Sequence, residues 1–362
     1  MKVLHILNTL RPSGAETMLR LAAPYWLEKG LELSILATGE IIGPYSGELE
    51  NAGFKILHLP FSKTFKFGLS FFQLLRNNNF DIVHIHTERA FFLYAIIARL
   101  AGVKKIVSTI HSNHTFIGFT KFYRTIFRSF MRWIKVEQIS ISQSVYDSEL
   151  KLYKNRTKII RNWCDMDRFF PPTRSQREQS RTSLGITDCS VILSIGNCAP
   201  TKRHELIIRA LPHLEKKIPK ICYFHIGEED DSHSERKLAK DLTISSKVEF
   251  LGYKNDIRPY LWAADVFVMP SRYEGFSIAA LEAIACGVPT ILTDVPGLSE
   301  WKQYGIDSII YTEADPQQLA NNILLMLRSP KYPTRDQLEM IKGEFGVMRG
   351  ATEYYIIYGL SL

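Results

Sequence analysis

The sequence predicts an α/β protein of two doubly wound domains, each a parallel sheet covered by helices, facing each other across a cleft. Three observations lead there. Short β-branched runs alternate with helical stretches along the chain, as successive strand–helix–strand units require. The runs are apolar on both faces, as in Val3-Leu4-His5-Ile6-Leu7 and Ile82-Val83-His84-Ile85-His86, which suits strands buried between two helical layers. The alternation also stops once, near residue 170, and then begins again.

In the first half the expected strands are 2–8, 33–38, 55–59, 81–86, 105–110, 138–142 and 158–160, with helical stretches such as 16–29 and 90–100 between them. Phe169-Phe170-Pro171-Pro172 and the polar tract Thr173 to Arg177 then read as a linker. The second series of strands is 191–196, 222–227, 247–251, 265–269, 290–293 and 308–311. From Arg335 to about Tyr358 the pattern is helical again, and this tail is expected to return to the first domain. The expected divisions are therefore 1–170, 171–334 and 335–362. In doubly wound sheets ligands sit at the carboxyl ends of the strands, so the cleft between the two domains is the expected binding place.

Composition narrows the class. A chain of 362 residues, 46% hydrophobic and 23% charged, has the make-up of a soluble globular protein. Its apolar run from Ala90 to Ala98 falls well short of the roughly 20 residues a membrane span needs, and Met1 to Asn8 is too short a run for a signal peptide. A cytoplasmic location is expected. The five cysteines (Cys164, Cys189, Cys198, Cys222 and Cys286) contain no C-x-x-C pair and read as free, buried thiols in a reducing compartment. Charge is uneven. Residues 1–170 hold 23 Lys and Arg against 13 Asp and Glu, whereas residues 171–362 hold 22 against 24. The basic excess of the first half suggests an anionic partner.

The most informative stretch runs from Asp265 to Pro289. It reads as strand, loop and helix, with Gly275 in the turn, Ser277 as a helix cap, and Gly287 and Pro289 as the stop. Backbone N–H groups at Gly275, Phe276 and Ser277 would form an anion site at the helix start. Glu274 and Glu282 lie eight residues apart, about two helical turns, a separation that suits two ends of one extended ligand. Glu282 stands among Ala279, Ala280, Leu281, Ala283 and Ile284, and an apolar helix that keeps one acid usually needs it.

This segment resembles the E-x7-E motif of glycosyltransferase family 4, retaining enzymes of the GT-B fold with two Rossmann-like domains, and the resemblance extends over most of the chain. Ser13-Gly14-Ala15-Glu16 is similar to the family's glycine loop after the first strand. Asp81 to His86 and Thr109-Ile110-His111-Ser112 resemble strands that end near the sugar, and Lys158 to Asp165 resembles the segment before the linker. Gly196 to Lys202 resembles the G-R-x4-K phosphate motif, with Asn197 where the family has arginine.

The resemblance implies a nucleoside diphosphate sugar donor, a UDP-sugar first, bound by the second domain, and a saccharide or lipid-linked saccharide acceptor bound by the first. It implies Lys202 and helix amides on the diphosphate, Glu282 on the ribose, and Glu274 with His111 on the sugar. Gly14 and Asn197 would lie near the phosphates, and Gly252 and Tyr253 beside the base. Neither a metal nor another cofactor is implied, and retention is expected by same-face substitution. A sugar-nucleotide epimerase of the same fold and a non-catalytic subunit are the alternatives.

Between Phe119 and Lys135, the cations Lys121, Arg124, Arg128, Arg132 and Lys135 recur every three or four residues, and Phe122, Ile126 and Phe130 recur every four. This pattern is expected to place a cationic face beside an apolar one. It suits either a core-facing amphipathic helix or contact with an anionic membrane surface, which would make the protein peripheral on the inner face of the cell membrane. Nucleic acid is not expected, since no binding module accompanies the charge.

Overall fold

A computed structural model of the protein describes residues 1–113, 118–186 and 188–360. The chain forms two compact units. One comprises Met1–Asp165 with Glu344–Leu362, and the other Met166–Gly343. Residues 166–170 and 335–343 thus belong with the second unit.

The first unit is built on seven strands: β1 (Lys2–Leu7), β2 (Glu32–Ala37), β3 (Lys55–His58), β4 (Ile82–Ile85), β5 (Lys105–Ile110), β6 (Val136–Ser140) and β7 (Lys158–Ile159). Their order is β3-β2-β1-β4-β5-β6-β7, and every pairing is parallel. In register, Val3 to Ile6 lie beside Ile82 to Ile85. Leu4, Ile6, Val83 and Ile85 of these strands are buried against Phe71, Tyr94 and Ala98 of the covering helices.

The tail forms two helices, Arg335–Phe345 and Val347–Ile357, divided at Gly346. The second packs on the helix Gly14–Glu28. Trp26 Nε1 donates to Ala351 O at 2.9 Å, and Trp163 Nε1 donates to Met18 O at 3.2 Å. Trp163 occupies the space beside Gly350, where a Cβ would lie 2.0 Å from the indole ring.

The second unit carries β8 (Ser190–Ile195), β9 (Ile221–Ile226), β10 (Val248–Phe250), β11 (Val266–Met269), β12 (Thr290–Thr293) and β13 (Ile309–Thr312). Their order is β10-β9-β8-β11-β12-β13, again all parallel. Ile192, Tyr223, Val268 and Ile291 pack against Ile207, Leu211 and Ile323 of the helices.

Three local expectations are corrected. The polar tract read as linker opens a helix, Arg174–Ser183, because Thr173 and Gln176 form a reciprocal capping box. Arg177 and Arg181 of that helix reach the Asp265 carboxylate at 2.7 and 3.3 Å. Cys189 and Cys222 are not free thiols but form a disulfide. The β8–β9 register sets Val191 beside Cys222, which brings Cys189, two residues earlier, within bonding reach. Cys164, Cys198 and Cys286 are buried thiols outside that disulfide.

The third correction concerns the helix Gly118–Trp133, which turns Phe127 and Met131 to the core but not the residues expected to face it. Phe122 and Ile126 are exposed, whereas Arg128 is only 2% exposed. Arg128 is held by Glu149 at 2.9 Å and Glu88 at 3.1 Å, and Arg124 also meets Glu88. A buried guanidinium is tolerated only when its charge and its N–H groups are matched in this way.

Arg128→Met should therefore destabilise the protein by about 3–5 kcal/mol in urea unfolding, because it leaves the buried Glu149 carboxylate without its counter-charge. Phe122→Ser should change stability by less than about 0.5 kcal/mol.

Candidate functional site

In the second sheet β8 lies between β9 and β11, so the winding reverses between β8 and β11. Loops from two neighbouring strands leave in opposite directions there and open a crevice at the strand carboxyl ends. Two sequence-predicted residues meet at that point. Lys202 follows β8 and Glu274 follows β11, and Lys202 Nζ lies 2.6 Å from Glu274 Oε1. Ser271 Oγ donates to the same oxygen at 2.7 Å. Both partners are only partly shielded, with Glu274 at 11% and Lys202 at 28% side-chain exposure. Such a pair is held by its geometry yet remains open to a competing anion.

The loop carrying Glu274 is fixed from the other side by the loop after β12. Glu274 N donates to Pro296 O at 3.3 Å. A Cβ on Gly297 would sit 2.1 Å from Glu274 O, and the φ of Gly297 is +87°, so this position requires glycine. The chain then enters the helix Ile278–Ala285, whose cap is Ser277, with Oγ accepting from Ala280 N at 3.1 Å. Gly275 and Phe276 are buried, and Phe276 packs on Trp301. About one turn into that helix is Glu282, 9% exposed. Burial pushes its carboxyl up to about 8, opposed by the Arg168 guanidinium.

The remaining predicted residues of this unit lie around the same strand ends. Asn197 is exposed, and its Oδ1 accepts from Glu228 N at 3.2 Å, tying the loop after β8 to the one after β9. Gly252 adopts φ +65° and its carbonyl accepts from Gly227 N, while Tyr253 is 45% exposed. Arg203, next to Lys202, turns away. Its guanidinium donates to Pro270 O and Ser271 O, both at 2.9 Å, so it braces the loop after β11.

In the first sheet the winding reverses between β1 and β4. Gly14 is the first residue of the helix after β1, and Ser13 beside it bonds to Glu16. Gly14 has no left-handed φ. His111, at the end of β5, is half-buried, and burial lowers its imidazole to about 4. Its Nε2 lies 3.2 Å from His86 Nδ1, and His86 Nε2 lies 3.1 Å from His5 Nδ1.

His84 is separate from this chain, bonded to Tyr358 Oη at 2.8 Å and Thr109 Oγ1 at 2.7 Å. His5, His84 and His86 lie close enough together for a metal ion among the described residues. Both nitrogens of His84 are already engaged, however, so a metal would have to displace a good hydrogen bond to gain its third ligand.

Several residues of these sites are not evident in the sequence. Ser271 and Gly297 each follow a strand, and that position after a strand is the one signal that could have found them. Arg168 and His5 gave no signal, since each acts on a residue far along the chain.

Two doubly wound parallel sheets in one chain, each offering polar side chains at its winding reversal, define the GT-B class. The Glycosyltransferase Family 4 model matches residues 12–193, just over half of the chain. The Glycosyl transferases group 1 model matches residues 176–340. The chain belongs to glycosyltransferase family 4.

It is 28% identical over 249 residues to a UDP-Gal:alpha-D-GlcNAc-diphosphoundecaprenol alpha-1,3-galactosyltransferase of Escherichia coli, a match covering 65% of this chain and 63% of that enzyme. It is 26% identical over 305 residues to the putative glycosyltransferase EpsF of Bacillus subtilis, covering 81% and 79%. Anabaena HepE, solved in complex with UDP and glucose, superposes with a TM-score of 0.85 at 20% identity, over 100% of both chains. At that identity the likeness speaks for the fold alone.

The raised Glu282 carboxyl has a consequence for stability. Between its ordinary value of 4.5 and about 8 the folded protein holds a proton that the unfolded chain releases. The stabilisation from this group is therefore present below pH 4.5 and is lost as pH rises to about 8. Urea unfolding from pH 5 to 8.5 should show the wild type losing about 2–4 kcal/mol more than Glu282→Gln.

Proposed function

We propose that this protein is a retaining glycosyltransferase that moves a sugar from a nucleoside diphosphate sugar, a UDP-sugar, to a saccharide or lipid-linked saccharide in cell-surface polysaccharide biosynthesis. The observation that carries the reading is the Lys202–Glu274 pair at the winding reversal of the second sheet. A diphosphate entering there competes for Lys202 and draws its ammonium off Glu274. The ammonium then faces charge that grows on the leaving phosphate as the glycosidic bond breaks, where fixed charge is most effective. The freed Glu274 carboxylate accepts hydrogen bonds from sugar hydroxyls, and Glu282 takes both hydroxyls of the ribose. Two hydroxyls that donate to Glu282 favour its ionised form, so nucleotide binding and loss of its proton are linked.

Transfer proceeds with retention by same-face substitution, in which the departing phosphate helps to take the acceptor's proton, and no step calls on a metal ion. The relative from Escherichia coli supports both a UDP-sugar and a lipid-linked acceptor by its name, and HepE has been solved with UDP-glucose.

Asn197 favours a second reading, a non-catalytic subunit. It stands in place of the family's arginine and bonds to Glu228 N, while Arg203 points elsewhere. Fewer cations then meet the diphosphate. A panel of UDP-, GDP- and ADP-sugars, read by thermal shift and nucleotide release, separates the readings. One donor, a UDP-sugar, should stabilise the wild type and be slowly hydrolysed. Glu282→Ala should weaken binding of that donor by about tenfold or more, and Lys202→Ala should lower release by about a hundredfold. Binding without release in the presence of acceptors would favour the subunit, and conversion to an epimer would favour an isomerase.

We also propose that the first unit meets an anionic membrane surface. On the helix Gly118–Trp133, Phe122, Ile126 and Trp133 are 61%, 50% and 77% exposed, more apolar surface than a solvated helix usually shows. Beyond its end, at the amino-terminal edge of β5, β6 and β7, Lys104, Lys105, Lys135, Arg156 and Lys158 line a cavity of about 520 Å³ together with Glu137, which pairs with Lys105 and Lys158. Aromatic residues beside clustered cations fit acidic lipid headgroups. Vesicles containing phosphatidylglycerol should bind the protein more tightly than neutral ones, and the double change Trp133→Ser with Lys135→Glu should weaken that binding about tenfold or more. Equal binding to neutral vesicles would contradict this reading.

A further inference from the structure

The histidine chain in the first unit carries an inference about how His111 acts. His5, His86 and His111 come from three neighbouring strands: β1, the end of β4 and the end of β5. Their rings form one line of hydrogen bonds, His5 Nδ1 to His86 Nε2 at 3.1 Å and His86 Nδ1 to His111 Nε2 at 3.2 Å. Burial holds all three below the ordinary imidazole range, His5 to about 3 and His111 to about 4. At neutral pH each ring is uncharged and carries one N–H.

Three protons and two shared contacts leave two arrangements. In one, His111 donates to His86, His86 donates to His5, and the last proton lies on His5 Nε2. In the other the direction is reversed, and the last proton lies on His111 Nδ1. The inner end decides between them. His5 Nε2 is buried and has no hydrogen-bond partner among the described residues. The His5 ring is wholly buried, stacked on Trp26 at 5.6 Å and set against Phe54 and Tyr358. A bare nitrogen in that setting lacks one acceptor contact, whereas an N–H there would be an orphaned donor, the rarer and costlier case. The outer end, His111 Nδ1, makes no hydrogen bond within the described residues, and its ring is half-buried.

We infer that His5 and His86 are positioning residues that lock His111 in the Nδ1–H tautomer, so that His111 offers a sugar at the strand ends of the first sheet a neutral N–H for a hydroxyl oxygen. This rests on the donor-sugar reading of His111 and narrows it. His111 neither takes a proton through Nδ1 nor brings a positive charge to the reacting carbon. The hydroxyl it addresses must offer a lone pair, so a sugar in which a hydrogen replaces that hydroxyl loses the contact.

The test has two arms that fail independently. Nitrogen-15 NMR of histidine-labelled protein without any donor should show the His111 proton on Nδ1, with one proton in each link of the chain. A proton on His111 Nε2 overturns the relay, whatever His111 touches. In the second arm, kcat and KM for donor hydrolysis are compared in His86→Gln and His86→Phe. Glutamine can still accept from His5 and donate to His111, so it should keep kcat/KM within about threefold, while phenylalanine should lose about tenfold, mostly in kcat. Equal loss in both variants, or none in either, overturns the positioning role. Should no nucleotide sugar bind the wild type at all, the sugar contact falls with the transferase reading, and the NMR arm still decides the tautomer.

Discussion

A parallel sheet that winds both ways from an interior strand must somewhere send two adjacent loops in opposite directions, and backbone and side chains at those strand ends are left facing a gap rather than each other. In the second unit this constraint falls between β8 and β11, and two charged side chains meet there. Lys202 arrives from one strand and Glu274 from the other, 72 residues apart in sequence and 2.6 Å apart in space. Their pairing depends on supports that do nothing chemical themselves. Gly297 lets a second loop pass against the Glu274 backbone, Ser271 orients the carboxylate, and Arg203 braces the loop from below.

The same pair is held by its geometry and still stays within reach of water. Lys202 and Glu274 offer each other opposite charge where both remain partly open to water. Together they satisfy each other at modest desolvation. On the proposed reading, a diphosphate would offer Lys202 more negative charge than Glu274 does, and the exchange of partners would bare the carboxylate to a sugar. Glu282 works differently. It is buried, with only the Arg168 guanidinium opposing that burial, it holds its proton up to about pH 8, and on the proposed reading it ionises when two ribose hydroxyls donate to it.

Much of the framework was legible because it depends on local pattern. Strand β5 is read residue for residue, since Lys105–Ile110 is β-branched and buried on both faces. Glu282 stood out as a lone acid in an apolar helix. What was not legible depends on residues brought from elsewhere. The helix after Pro172 was masked by a proline and polar tract that imitates a linker, although Thr173 and Gln176 carried its capping box. The burial of Arg128 depends on Glu88 and Glu149, and no periodicity within its own helix predicts them. The Cys189–Cys222 disulfide follows from strand register rather than spacing. Lys202 and Glu274 were each identifiable, but their contact follows only from the strand order.

The most direct test of the central claim is a crystal structure of the protein with UDP. The account predicts the diphosphate beside the loop after β8, Lys202 Nζ within hydrogen-bond distance of a phosphate oxygen and released from Glu274, and the ribose hydroxyls on Glu282. A nucleotide bound elsewhere, or a nucleotide at this place with Lys202 still paired to Glu274, would contradict it.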